Sequence, residues 1–412
     1  MGKKQLNLLE PGQYVATRPR PTEAELRGLI PRIHSDFKPV WDGLPDDQQL
    51  ALAAYFLPWG SKKEQIGPTR PQVLHWYCPF AAQAVFPSGH RYCLNVYSGC
   101  SHECEYCYAV SYAGSKASCK RGFGRLLERD LADLEAFDVP PAPVHLSNST
   151  DPFQPLEQVH GHTRLALEGI LAHRHRFTTV TMLTKNPLLP VKLGYLQLLQ
   201  ALGRISPDHP KQAQVTPPFQ VQVSLAFWRD EARRAYDLTA PSVEDRKAGV
   251  RALREAGIPV VLRIDPLFPR SPLPLDGKPS MADVGLTEAQ TITDLEQLVD
   301  FAREVGARHV VYSPVKIVQP RGRPLSTTMT ALRDLYRALC APGRPAWRGG
   351  SWRLPKQVAD EHVVGPFLDI CQRAGVTAKF CMRDLVEIAR AADAGTAAST
   401  SPRVSASCCP LR

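Results

Sequence analysis

From about Leu94 onward, short apolar runs alternate with stretches in which apolar side chains recur every three to four residues. The short runs predict strands and the recurring pattern predicts amphipathic helices, which is the order of βα units around a parallel sheet. Six strands are predicted, at residues 93–97, 144–149, 178–183, 219–225, 259–264 and 309–313. Five helices are predicted between them, at residues 125–137, 163–173, 191–201, 243–256 and 295–305.

Six βα units over about 225 residues are fewer than the eight units of a complete barrel. We therefore expect an α/β fold with a partial (β/α)6 TIM-like barrel, whose chemistry collects at the carboxyl ends of the strands. Four segments are expected along the chain: a proline-rich N-terminal extension at 1–90, the barrel core at 91–320, a mostly helical C-terminal extension at 321–390 and a disordered tail at 391–412.

With 43% hydrophobic and 22% charged residues, the 412-residue chain has the composition of a folded, water-soluble protein. Residues 1–9 lack the apolar segment of a secretory signal, and no later stretch approaches the roughly 20 apolar residues of a membrane-spanning helix. We therefore expect a cytoplasmic protein without a membrane partner. Its net charge of +10 favours anionic partners, among them phosphates, nucleic acid and acidic cofactors.

Eleven cysteines are many for a reducing compartment, where they are more typical of metal or cluster ligation than of disulfides. Three of them form a C-x3-C-x2-C run directly after the first predicted strand: Cys100, Cys104 and Cys107. Three thiolates on one loop can hold three corners of a [4Fe-4S] cluster and leave the fourth iron open to a ligand. The alternative is structural zinc, although zinc prefers four ligands and no second cysteine pair has the usual spacing.

The other eight cysteines have no ligand-run spacing, and most of them are expected to be small buried apolar residues. An auxiliary cluster built from Cys340, Cys371 and Cys381 is the alternative for three of them.

The cysteine run resembles that of the radical S-adenosylmethionine enzymes, in which C-x3-C-x-aromatic-C follows strand one of a partial barrel. Tyr106 stands at the aromatic position. More narrowly, residues 95–102 (NVYSGCSH), 106–109 (YCYA) and 150–157 (TDPFQPLE) are similar to the branch related to spore photoproduct lyase. The resemblance covers about residues 92–318.

This resemblance implies a [4Fe-4S] cluster, S-adenosylmethionine as a second cofactor and a flavodoxin-like or ferredoxin-like electron donor. In such an enzyme, one electron from the cluster cleaves S-adenosylmethionine to a 5′-deoxyadenosyl radical, which abstracts hydrogen from the substrate. Lyase or oxidoreductase-type chemistry is therefore expected, in a site that is covered from water.

Cofactor contacts are expected, by the same resemblance, near the carboxyl ends of the strands. The candidate residues are Tyr106, Ser149, Thr150, Asp151, Lys185, Ser224, Arg246 and Arg263. Several have an ordinary alternative role: Asp151 can start an Asp-Pro turn, Lys185 can be a solvated lysine, and Arg263 can pair with Asp265 to shape the pocket. Ser224 can equally be a satisfied strand hydroxyl, and Arg246 a surface residue of its helix.

The substrate stays open between two classes. Nucleic acid is supported by the net charge and by residues 344–353 (RPAWRGGSWR), where cations alternate with Trp347 and Trp352. A peptide or a small metabolite is the alternative, and a zinc-stabilised binding module without catalysis is the alternative outside the enzymes.

One position departs from the lyase pattern. When the Asp of its second-strand motif is aligned with Asp151, the hydrogen-donating cysteine of the lyase falls on Asn148. An amide does not readily give up a hydrogen atom, so reversal of a thymine dimer is not expected, and no residue is assigned as the catalytic hydrogen donor.

Overall fold

The computed structural model describes residues 16–17, 19–32, 42–56, 73–76, 92–113, 116–204, 218–270, 277–340, 347–348 and 350–381. The predicted tail at 391–412 and most of the N-terminal extension lie outside these residues.

One eight-stranded sheet forms the centre of the described chain. Its strands, in spatial order, are β1 (Leu74–Trp76), β2 (Tyr92–Leu94), β3 (Ala142–Leu146), β4 (Phe177–Thr184), β5 (Phe219–Ser224), β6 (Val260–Leu267), β7 (His309–Pro314) and β8 (Thr377–Phe380). β1 runs antiparallel to β2, and every other neighbouring pair is parallel. The predicted parallel α/β core is confirmed, and the sheet has two open edges in the described residues.

All six predicted strands are present within three residues of the expected bounds, whereas β1 and β8 at the two edges are absent from the prediction. The C-terminal segment therefore contributes to the sheet as well as adding helices. Short strands outside the sheet pair Tyr97–Ser98 with Ser118–Cys119, and Ser351–Trp352 with both Ile317–Val318 and Trp347–Arg348.

The helices are α1 (Glu23–Leu29), α2 (Asp46–Phe56), α3 (Phe123–Ala136), α4 (Leu156–His160), α5 (His162–Ala172), α6 (Leu188–Lys192), α7 (Leu196–Leu202), α8 (Asp230–Tyr236), α9 (Val243–Glu255), α10 (Ile292–Glu304), α11 (Thr327–Leu339), α12 (Lys356–Ala359) and α13 (Gly365–Arg373). The prediction of one helix at 191–201 is wrong, because Gly194 adopts a φ of +70° between α6 and α7 and interrupts the helical backbone. Among the described helices, none combines the length and the apolarity that crossing a bilayer requires.

The two faces of the sheet differ in polarity, because alternate strand residues point to opposite sides. On one face, Val180 and Met182 of β4 lie in register with Phe219 and Val221 of β5, and all four belong to the hydrophobic core. The opposite face carries polar in-register pairs: Cys93 with His145, His145 with Thr181, Thr181 with Gln220, and Ser224 with Arg263. A strip of polar side chains therefore crosses the sheet from β2 to β6.

Helix α9 approaches the turn after β4 very closely. A Cβ atom at Gly249 would lie 2.4 Å from the backbone nitrogen of Leu188 and 2.5 Å from the carbonyl carbon of Pro187. Real Cβ atoms do not approach backbone atoms that closely, so only glycine permits this contact.

Candidate functional site

The three cysteines of the C-x3-C-x2-C run lie on residues 99–108, the cysteine loop. The loop begins at Gly99, whose φ of +68° favours glycine, directly after the short strand Tyr97–Ser98. The backbone N–H of Glu105 donates to the carbonyl of Tyr236 at 2.8 Å, and that of Ser101 donates to Oε1 of Gln154 at 3.1 Å. Segments after β3 and at the end of α8 therefore hold the loop from two sides.

The chemistry of the three thiols fits an iron–sulfur cluster. Burial raises the pKa of Cys100 to about 12, and the charges of Asp151 and Cys107 add to the effect. Burial also raises the pKa of Cys104, again with neighbouring negative charge adding to it, and burial raises the pKa of Cys107. A cationic iron centre stabilises thiolates whose charges would otherwise repel each other, so these residues suit three corners of a [4Fe-4S] cluster.

A zinc site requires a different arrangement. Within the described part of the chain, no three His, Cys, Asp or Glu side chains are grouped so that they could hold one metal ion. Structural zinc needs four ligands around a single point, whereas each thiolate of a [4Fe-4S] cluster binds its own iron.

Three of the predicted cofactor residues, Tyr106, Lys185 and Arg246, contact the carboxylate of Asp237, and a fourth, Ser224, joins them through Lys185. The Nζ of Lys185 donates to Tyr106 Oη at 2.7 Å, to Ser224 Oγ at 2.8 Å and to Asp237 Oδ2 at 3.3 Å. The hydroxyl of Tyr106 donates to Asp237 Oδ1, and Arg246 Nη2 lies 2.8 Å from Asp237 Oδ2. Tyr106, Lys185, Ser224, Arg246 and Asp237 thus form one connected group, the Asp237 network.

The charged groups of the Asp237 network are buried and in contact with one another. Asp237 and Arg246 are fully buried, and the side chain of Lys185 is 15% exposed. Burial alone would raise the pKa of Asp237, but Lys185 and Arg246 reverse the effect and hold that pKa far below its usual range. Arg246 is therefore a core residue that faces the site, and its alternative as a surface helix residue is wrong.

Asp237 is the residue of this network that the sequence analysis missed. It follows α8, a seven-residue helix, and it has neither a motif nor a strand end to mark it. Its backbone forms an isolated bridge with Cys104, so the carboxylate is attached to the cysteine loop by main chain as well as by side chain. Only the tertiary contact between α8 and the loop identifies it.

Asp151 ties the end of β3 to the cysteine loop and to the end of β4. Its Oδ1 accepts from the Phe153 N–H at 2.8 Å and from Thr184 Oγ1 at 2.7 Å, and its Oδ2 accepts from the Lys185 N–H at 2.6 Å. His102 Nε2 lies 3.1 Å from Oδ2. Burial alone would raise the pKa of Asp151, but these neighbours lower it. The turn predicted for the Asp-Pro pair is present, and a contact with the cofactor stays a prediction.

Three buried hydroxyls, one in the cysteine loop and two in the segment after β3, have no hydrogen-bond partner in the described residues: Ser101 Oγ, Ser147 Oγ and Thr150 Oγ1. Ser147 also adopts a φ of +61°, which is unusual for a residue other than glycine. Ser149 differs, because its Oγ lies 2.8 Å from Tyr112 Oη. Buried polar atoms are normally paired, so unpaired hydroxyls indicate a place where a polar ligand can supply the missing bonds.

Arg263 belongs to a separate group at the ends of β6 and β7. Its Nη1 donates to Gln222 Oε1 at 2.8 Å, and its Nη2 donates to Asp265 Oδ2 at 2.5 Å and contacts Cys381 Sγ. The hydroxyl of Ser313 donates to Asp265 Oδ1. Arg263 shares a sheet face with Ser224, and its contact with the cofactor and the auxiliary cluster with Cys381 both stay predictions.

Asn148 lies next to a thiol from the neighbouring strand. Its Nδ2 is 3.6 Å from Cys93 Sγ, and Asn95 Nδ2 is 3.5 Å from the same sulfur. Tyr108 donates its hydroxyl proton to the carbonyl of Asn148 at 2.5 Å. The polar face of the sheet thus carries a thiol beside Asn148, although position 148 itself is an amide.

No protein-family model matches the chain. Among curated proteins, an uncharacterised protein of Methanocaldococcus jannaschii is 24% identical over 181 residues, which is 44% of this chain and 62% of that protein. An uncharacterised protein of Mycobacterium tuberculosis is 27% identical over 188 residues, which is 44% of this chain and 50% of that protein. The chain therefore spans about half to three fifths of the length of the curated relatives that it matches.

Among solved structures, a cysteine-to-serine mutant of spore photoproduct lyase is similar with a TM-score of 0.47 and 12% identity, covering 76% of this chain and 79% of that one. Spore photoproduct lyase complexed with dinucleoside spore photoproduct is similar with a TM-score of 0.45 and 12% identity, over 70% of this chain and 75% of that one. Streptococcus suis SuiB bound to S-adenosylmethionine is similar with a TM-score of 0.37 and 10% identity, over 70% of this chain and 49% of that one. Similarities at these scores do not assign an activity to the chain.

Proposed function

We propose that this chain is a radical S-adenosylmethionine enzyme. Cys100, Cys104 and Cys107 would hold a [4Fe-4S] cluster that, with an electron from a flavodoxin-like or ferredoxin-like donor, supplies reductive cleavage of S-adenosylmethionine to a 5′-deoxyadenosyl radical. The observation that carries the proposal is the cysteine loop itself, with three thiols on one turn fastened to a buried ion network that contains four of the predicted cofactor residues. Such an enzyme requires a reducing compartment, which favours the cytoplasm.

The residues of the chain have distinct tasks in this proposal. The three cysteines bind the cluster as thiolates. Ser101, Ser147 and Thr150 offer buried hydroxyls to the polar part of S-adenosylmethionine, because none of them has a partner within the described chain. Ser149 and Asp151 line the same turn, and Asp151 fixes its shape.

Aromatic side chains exclude water beside the cysteine loop. The ring of Tyr106 lies 6.1 Å from that of Phe227 and 5.9 Å from that of Phe268, centre to centre. Phe227 and Phe268 are both buried. A radical that abstracts hydrogen must be shielded from solvent, and this apolar wall provides shielding on the Tyr106 side.

For the substrate we propose nucleic acid, on the strength of a surface near the cysteine loop. Trp347 is 43% exposed and its ring lies 4.3 Å from that of Trp352, which packs against the core. Lys316 Nζ lies 5.4 Å from the ring of Tyr108, the residue after Cys107. Arg333 Cζ lies 6.0 Å from the ring of Trp352, so this surface combines an exposed ring with a nearby cation, which suits a stacked base and a phosphate. Arg344 and Gly349 of the predicted segment lie outside the described residues.

Anaerobic reconstitution with iron and sulfide tests the proposal. We expect about four irons per chain, a brown protein, and 5′-deoxyadenosine after dithionite reduction in the presence of S-adenosylmethionine. A colourless protein that binds zinc would favour the non-catalytic binding module. A brown protein that leaves S-adenosylmethionine intact would also contradict the proposal. If cleavage occurs but no oligonucleotide binds, a peptide or small metabolite becomes the substrate class to examine.

A further inference from the structure

We infer that Asp237 is a positioning residue that sets the charge beside the cysteine loop by holding Lys185 and Tyr106 against it. This inference rests on the proposed function. Asp237 acts through its neighbours, since it is fully buried and touches no solvent-accessible space.

The hydrogen bonds of Lys185 are the first argument. An ammonium group has three N–H donors. In the structure these reach Tyr106 at 2.7 Å, Ser224 at 2.8 Å and Asp237 at 3.3 Å. All three donors are engaged within the network, so its neighbours fix the position of the Lys185 ammonium group, and a contact of Lys185 with the cofactor stays a prediction.

The attachment to the cysteine loop is the second argument. Asp237 is bridged to Cys104 through the backbone, and the preceding residue, Tyr236, accepts a hydrogen bond from Glu105. Tyr106, which donates its hydroxyl proton to this carboxylate, lies between Cys104 and Cys107 in the loop. The carboxylate is therefore held beside the cysteines by main chain and by a side chain.

The charge count is the third argument. Lys185 and Arg246 contribute two positive charges and Asp237 one negative charge, so the network carries a net charge of +1 beside the three cysteines. The reduction potential of an iron–sulfur cluster depends on the net charge and hydrogen bonds around it. Removing the carboxylate leaves two unopposed cations, which favour the reduced, more negative cluster. The midpoint potential should then become more positive.

Spectroelectrochemistry of the reconstituted protein tests this inference. Asp237→Asn should shift the midpoint potential in the positive direction, and Lys185→Met should shift it in the negative direction. The double variant, Asp237→Asn with Lys185→Met, restores the net charge of +1 and should return the potential most of the way to the wild-type value. A merely structural role for Asp237 would not reverse sign between the two single variants.

Asp294→Asn is the matched control, because Asp294 is also buried and lies 3.0 Å from an arginine, Arg229, without contacting the cysteine loop. This variant should leave the potential unchanged. The inference would be overturned, and the proposed function would stand, if Asp237→Asn had the same midpoint potential as the wild type. The same conclusion would follow if the double variant had the same midpoint potential as Lys185→Met. If the single variant Asp237→Asn does not fold, the double variant is compared with Lys185→Met, and equal potentials in these two chains overturn the inference. A wild-type chain that assembles no cluster overturns both the proposed function and the inference.

Discussion

Asp237 and Arg246 form a fully buried ion pair, with 2.8 Å between Oδ2 and Nη2. Arg246 also donates to the backbone carbonyls of Pro241 at 3.0 Å and Ser224 at 3.2 Å, so its guanidinium joins α9 to the end of β5. Each of the two charges depends on the other for compensation in the protein interior.

Removing Arg246 should destabilise the chain strongly, even without a cluster. Arg246→Met leaves the Asp237 carboxylate with Lys185 alone, and we expect a loss of about 3 kcal/mol in the free energy of unfolding. Urea denaturation of the metal-free protein measures this loss. Arg251→Met, on the same helix but in an exposed pair with Glu304, should cost less than about 1 kcal/mol. Equal losses for the two variants would contradict a buried role for Arg246.

Cluster assembly should depend on the cysteine loop and not on cysteines elsewhere. Cys104→Ala removes one of three thiolates on a single loop, so the reconstituted variant should lose most of its iron and its brown colour. Cys340→Ala, at the end of α11, is the matched control and should keep both. Iron and sulfide assays check the outcome. A full cluster in Cys104→Ala would show that the ligand assignment is wrong.

The unpaired hydroxyl of Thr150 should contribute to cofactor binding. Thr150→Val replaces the hydroxyl by a methyl group of similar size, and we expect S-adenosylmethionine to bind about fivefold more weakly, equivalent to about 1 kcal/mol. Equilibrium dialysis with the reconstituted protein measures the affinity. Thr178→Val removes another buried unpaired hydroxyl, at the amino end of β4 and so at the opposite edge of the sheet from the end of β3, and should leave the affinity unchanged. Similar affinities for S-adenosylmethionine in both variants would mean that Thr150 is an ordinary turn residue without a role in cofactor binding.

His309 should make the fold sensitive to mild acid. Burial, with a smaller contribution from Lys379, lowers the pKa of His309 to about 4, and its Nε2 has no partner in the described residues. The unfolded chain therefore binds this proton more readily than the folded chain, so stability is complete above about pH 6.5 and falls as the pH drops toward 4. We expect a loss of about 1–2 kcal/mol from this residue over that window.

His309→Gln removes the titrating group and should flatten this part of the pH–stability curve, measured by thermal unfolding. His160→Gln changes an exposed histidine and serves as the control. An unchanged slope in His309→Gln would mean that other groups cause the acid sensitivity.

The nucleic-acid surface leads to a salt-dependent prediction. Trp347→Ala removes the exposed ring and should weaken binding of a fluorescent single-stranded oligonucleotide by about 1–3 kcal/mol, because base stacking contributes that much. Each neutralised phosphate should add about −0.7 to the slope of log affinity against log salt. Val159→Ala, a change of a 78% exposed apolar residue on α4, is the control. Salt-independent binding, or equal affinity in Trp347→Ala, would point to a peptide or metabolite.

The sequence predicts those features that depend on neighbouring residues. The apolar runs identified all six inner strands, and the spacing of Cys100, Cys104 and Cys107 placed them on one loop, because strand period and loop length are local properties. The predicted helix bounds were less accurate where the backbone conformation of a single residue interrupts a helix, as Gly194 does between α6 and α7.

The features that the sequence could not reveal depend on distant contacts. β8 is only four residues long and becomes a strand by pairing with β7, 68 residues earlier in the chain. Asp237 becomes a site residue only because α8 packs on the cysteine loop. Lys185 and Arg246 were selected as cofactor contacts, yet the structure pairs both with this carboxylate, which no spacing rule connects to them.

Gly249 lies one helical turn after Arg246, and the turn that it touches, Pro187–Leu188, comes just after Lys185. The absence of a side chain at Gly249 lets α9 lie close to this turn. It thereby sets the distance between Lys185 and Arg246, which both contact Asp237. A methyl group there would push α9 away from the turn and stretch the ion network without altering any charged residue. The electrostatics of the site is thus adjustable from a position that has no functional group of its own.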